Sequence, residues 1–150
     1  MSWPSRTWVT AELVTATLMN AYLRDPLVQL QQRTIVAGFG DVLGDVIQPG
    51  VKTYLEMPFT GTIVAWTLLA DQVGSLVIDV WKDTYLNFPP TVADTIAGSE
   101  KPTLSAAQKN QDLVLSTWAP SVNLGDVLAF KVDSATSVRQ ATLSLRALLA

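Results

Sequence analysis

Asp71, Asp79, Asp83 and Asp94 are the acids best placed to do chemistry in this chain, gathered around one long irregular stretch. A pair of carboxylates can split a glycosidic bond, one giving a proton while the other attacks or activates water. Asp79 and Asp83, four residues apart, are the pair that could act so, in a small hydrolase. Acids that alternate outward along a strand are ordinarily just its solvated face, and that reading carries more weight here. The chain has no Cys and no His. Disulfides, thiolate chemistry, Cys-based metal sites, Ser-His-Asp triads and the usual base near neutral pH are all excluded by that absence. Gly38-Phe39-Gly40 and Gly44 are turn glycines, since no Lys-Ser/Thr pair or helix pattern follows to make a phosphate loop. No acidic loop has EF-hand spacing. The reading is therefore of a non-enzymatic protein, with no catalytic, cofactor or metal residue assigned.

Binding chemistry rests with the aromatic residues. Trp66, Trp81 and Trp118 have apolar or strand neighbours and read as core or interface residues. Trp3 and Trp8 belong to an N-terminal segment with little pattern of its own, and aromatic residues are enriched at the buried centres of interfaces, so they read as docking residues. Tyr85, Asn87 and Phe88, opening the long irregular stretch, are the candidate ligand-facing edge; the plainer reading has Phe88 plugging the end of the domain.

The elements that position these residues fall into two parts, 1–33 and 34–150. Thr15 can cap a helix carrying Leu18, Tyr22 and Leu23 on one face. Pro26 is expected to interrupt it, and Asp25-Pro26 to start a second helical piece with Leu27 and Leu30 as its stripe. Helices of about ten residues are unstable alone in water. They must lie on their own domain or serve as an oligomerisation or docking element.

From Thr34 the apolar period becomes two, the mark of half-buried strands. Two weaker strands, Ile35 to Phe39 and Asp41 to Ile47, are punctuated by glycines; further strands are expected at Val51 to Phe59, Thr62 to Ala70, Ser75 to Lys82, Leu113 to Trp118, Val122 to Leu124, Val127 to Asp133 and Ser137 to Ala147. Asp71-Gln72-Val73-Gly74 and Asp133-Ser134-Ala135-Thr136 read as hairpin turns. Asp83 to Lys109 is the long irregular stretch, with a helical turn expected at Ser105 to Asn110. Short antiparallel strands without βαβ alternation give a mainly β fold, an antiparallel β-sandwich of jelly-roll type behind a short N-terminal helical anchor.

Composition adds limits. Only 15% of the 150 residues are charged while 49% are hydrophobic, so part of the surface is expected to be covered by partners. The net charge is −3 with no basic cluster, which argues against nucleic-acid binding. Ile63 to Ala70, the longest strongly apolar run, is well short of the roughly 20 residues of a membrane-spanning helix, and no secretory signal opens the chain.

The run Trp8-Val9-Thr10-Ala11-Glu12-Leu13-Val14-Thr15-Ala16-Thr17-Leu18-Met19-Asn20-Ala21-Tyr22-Leu23-Arg24-Asp25 resembles a segment near the N-terminus of many tailed-bacteriophage structural proteins. Pro58-Phe59-Thr60-Gly61-Thr62-Ile63, Trp66 to Gln72, Ile78 to Asp83 and Phe88-Pro89-Pro90-Thr91 resemble a phage virion β-domain. The family pattern has Gly where this chain has Ala11, and Asn where it has Pro26. The resemblance implies a virion structural protein: a head fibre, tail fibre, spike or decoration protein made in the host cytoplasm. It further implies a homotrimer meeting at Leu18, Tyr22, Leu23, Leu27 and Leu30, docking on other virion proteins through Trp3 and Trp8. Separately from the resemblance, the aromatic-containing loop from Tyr85 gives the alternative of a host-attachment module with a host-surface glycan as partner.

Overall fold

The computed structural model describes residues 7, 9–40 and 44–150, and the chain divides into two compact units, Met1–Gln32 and Arg33–Ala150. Trp3 and Trp8 lie outside the described residues.

In the first unit, helix α1 (Ala16–Met19) runs into a π-turn (Asn20–Arg24) and then α2 (Asp25–Leu30) without a break. Thr15 caps it as expected, its side chain accepting from Leu18 N at 3.3 Å. Pro26 does not interrupt the helix. Asp25 N donates five residues back to Asn20 O, so the turn is widened where the proline ring would otherwise crowd the preceding carbonyls.

The second unit is an antiparallel β-sandwich formed by a seven-stranded sheet that curls on itself. Its strands are β1 (Gln32–Phe39), β2 (Lys52–Glu56), β3 (Gly61–Thr84), β4 (Thr103–Asp112), β5 (Ser121–Val122), β6 (Asp126–Thr136) and β7 (Ala141–Leu149). The spatial order is β1-β7-β3-β6-β2, with β4 and β5 also paired to β3. Of the strand expected over Asp41 to Ile47, residues 41–43 lie outside the described residues and 44–47 form no strand.

The organising element is β3. Its 24 residues would reach about 80 Å if straight, several times the radius of a domain this size, so it has to bend. Residues 61–70 pair with β7 and 75–84 pair with β6. The two halves thus belong to two layers around one core, in which Trp66 and Leu68 meet Ile78, Val80, Phe130 and Leu143. Asp71 to Gly74, expected as a hairpin turn, is the corner where β3 passes between layers. The second expected hairpin is also absent: β6 and β7 lie end to end along β3, joined through residues 137–140 opposite that corner.

Gly74 is required there. A Cβ would meet Thr136 O at 2.5 Å and a Val138 methyl at 2.7 Å. A bulge between Ile63 and Ala65 changes the alternation within β3, placing Ile63 and Trp66, of opposite parity, in the same core.

β4 also departs from expectation. Residues 103–112 form a strand where a loop with a helical turn was expected, and 113–118 form none. The strand pairs with β3 through two register shifts, and most of its residues from Ser105 onward are exposed. Without an apolar face it has no period-two signal to read. No helix among the described residues is long and apolar enough to cross a membrane.

Candidate functional site

Three neighbouring strands set out an aromatic and charged surface. Paired positions share a face, so Tyr54, Ala129 and Trp81 make one row, and Lys52, Lys131 and Asp79 the next. Lys52 and Lys131 are like charges directly opposite one another, normally unfavourable. The Trp81 ring relieves this: Lys52 Nζ lies 5.0 Å and Lys131 Nζ 5.8 Å from its centre.

Asp79 is almost fully buried. Lys101 Nζ sits 2.7 Å from its carboxylate, and Thr95 Oγ1 donates to it at 2.6 Å. Lys101 also pairs with Asp133 at 2.7 Å, and Lys131 with Asp133 at 2.6 Å. Burial pushes the Asp133 carboxyl up, but the Lys101 and Lys131 ammoniums outweigh it and hold the carboxyl below its usual range. Lys101 is raised, chiefly by its hydrogen bonds to Asp133 and Asp79. Asp83 accepts from Thr84 N at 2.7 Å and Asn87 Nδ2 at 3.0 Å. Asp79 and Asp83 are thus engaged separately, one in an ion network and the other in a turn. Among the described residues no three or more acids gather into a metal-binding group.

The loop after β3 begins with a short 3-10 turn, Tyr85–Asn87. The three residues singled out from sequence do different things. Phe88 packs edge-on against Tyr54, ring centres 5.0 Å apart. Asn87 is tied back to Asp83. Tyr85 is 72% exposed, beside Leu86 at 92%. Tyr54, on a different strand, joins this edge only through the fold.

The buried tryptophans divide likewise. Trp118 is buried and its indole donates to Glu100 O at 3.0 Å. Trp66 and Trp81 are buried with no protein partner for the indole N–H.

In the helical unit no residue of α1, the π-turn or α2 is buried. Leu18 and Tyr22 are half-buried; Leu23, Leu27 and Leu30 are exposed, as are Met19 and Val28 beside them. Within the helical unit itself nothing buries this apolar stripe.

No family model and no curated protein matches the chain. Among solved structures it is similar to one reported under "CBM4 structure and function", at 15% identity, covering 78% of this chain and 70% of that chain, with a TM-score of 0.24. So low a score carries no argument about this chain.

Proposed function

We propose that the protein is a non-enzymatic structural component of a bacteriophage particle, a homotrimeric fibre, spike or decoration protein held to the virion by its N-terminal segment. The observation that carries this reading is the helical run 16–30, which has no buried residue and leaves Leu23, Leu27 and Leu30 exposed. A helix of that length gains most of its stability from packing, so its apolar stripe needs a packing partner, a role assigned here to two further copies of the chain. The phage-like run from Trp8 to Asp25 covers the same segment, and the low overall charge suits a surface packed against virion partners. Multi-angle light scattering on the intact chain tests it. A trimer is expected, converted to monomer by Leu23→Glu with Leu27→Glu; a monomeric wild type would end the trimer. Immunogold labelling of particles then tests virion incorporation, and gold over capsid or tail tip tells a head protein from a tail protein.

A second reading, a host-attachment module that binds surface glycan, is favoured by the edge of Tyr85 and Phe88 with Tyr54 behind it. Exposed aromatic rings stack on sugar faces, and Tyr85 is free to do so. Glycan-array binding lost in Tyr85→Ala would support it, and a blank array at high protein concentration would count against it.

A further inference from the structure

We infer that the outward face of the β7-β3-β4 layer is a binding site for an acidic polysaccharide chain. This rests on neither the helical stripe nor the loop after β3.

Two adjoining hollows, about 200 and 350 Å3, share Thr67 and Gln111 and together form a shallow trough across three strands. The strand register explains its shape. Ser144, Thr67 and Gln111 lie in one row, and Thr142, Leu69 and Lys109 in the next. Arg146 stands opposite Ala65, whose small side chain leaves the floor low beside the guanidinium.

Three features define the ligand. The first is charge: the hollows are lined by Arg146 and Lys109 and by no Asp or Glu, in a chain whose net charge is −3. Among the described residues no carboxylate pairs with either cation. The second is spacing. Their partners Ala65 and Leu69 are four positions apart on β3, about 13 Å of strand. A single small anion does not reach both cations, whereas an extended chain with repeated charges does. The third is polarity. Between the cations lie the hydroxyls of Thr67 and Ser144 and the Gln111 amide, none with a side-chain hydrogen bond within the chain, and Leu69 offers an apolar patch. Donors and acceptors in a row with one apolar patch match the ring hydroxyls and faces of sugars. Nucleic acid fits less well, because two separated cations give a small electrostatic footprint and the trough has no row of aromatic side chains on which bases could stack.

Native gel electrophoresis of the intact protein through gels containing polygalacturonate, alginate, neutral dextran, poly-L-glutamate or single-stranded DNA tests the inference. Retardation by polygalacturonate or alginate and by none of the others is expected. Arg146→Gln and Lys109→Gln should each weaken it about 5- to 10-fold, with unchanged thermal midpoints because both side chains are exposed, and Tyr85→Ala should leave it unaltered. Equal retardation by poly-L-glutamate or DNA would overturn the inference by showing a generic polyanion surface. So would no retardation by either acidic polysaccharide, or retardation lost in Tyr85→Ala and kept in Arg146→Gln, which returns binding to the loop.

Discussion

Asp71 and Gln140 are joined twice across the corner of the sandwich. Asp71 N donates to Gln140 O at 3.0 Å, and Gln140 N donates back to the Asp71 carboxylate at 3.0 Å. Arg139 N adds a third bond at 3.1 Å, and the Gln72 amide donates to Ser137 O. The side chain of Asp71 thus caps the segment between β6 and β7 where the sheet ladder is interrupted.

These bonds give acid sensitivity a sign. Asp71 lies below its ordinary pKa, mainly through the Gln140 N–H; Glu100 does so through Thr117 N–H, and Asp94 through Thr91 N–H. A carboxyl lowered in the folded state contributes fully above its unfolded value, about 4, and loses that contribution as pH falls through the folded value. Urea midpoints should therefore hold from neutral pH to about 5 and fall below about 4. Asp71→Asn should flatten part of that fall; an unchanged acid limb would remove Asp71 from the account.

Gly74→Ala tests the corner sterically. The added methyl meets Thr136 O and Val138 with no room to spare, and overpacking of this kind costs about 1–3 kcal/mol. Chemical denaturation should show a lower midpoint with the same slope. A neutral result would mean that the two layers can separate there.

The buried ion network should be more costly to break at Lys101 than at Asp79. Lys101→Met leaves the Asp79 carboxylate buried with Thr95 as its remaining partner, a loss of about 3 kcal/mol. Asp79→Asn keeps an acceptor for Thr95 and should cost less. Equilibrium unfolding of both variants gives the order, and the reverse order would show that the buried Asp79 carboxylate does not depend on Lys101 to balance its charge.

Phe88 and Tyr85 should separate packing from recognition. Phe88→Ala loses the edge contact with Tyr54, about 1 kcal/mol, while Tyr85→Ala at an exposed position should stay within about 0.5 kcal/mol of wild type. Thermal unfolding measures both, so a glycan-binding loss in Tyr85→Ala reports contact with the ligand.

What local sequence could specify, it did. Alternation sets the core-facing positions of β6 and β7, because side-chain direction in a strand is fixed by parity: Leu128, Phe130 and Val132, then Ala141, Leu143 and Leu145, join the core cluster as their spacing predicts. Thr15 is legible as a cap for a similar reason, its bond closing within one turn of helix. The all-β character follows from the same local rules.

Long-range pairing decided the rest. Asp71-Gln72-Val73-Gly74 has turn composition, yet it runs on as strand because residues 137–140 cross beside it and take up its hydrogen bonds. Residues 103–112, with no apolar face, are a strand because β3 offers an edge. Asp79 reads as a solvated acid from its position in a strand, and is buried because Lys101 and Thr95, more than fifteen residues away in sequence, converge on it. The trough lined by Thr67, Gln111 and Arg146 was likewise invisible in the chain. Its three strands lie far apart in sequence, and only their register brings those side chains to one face.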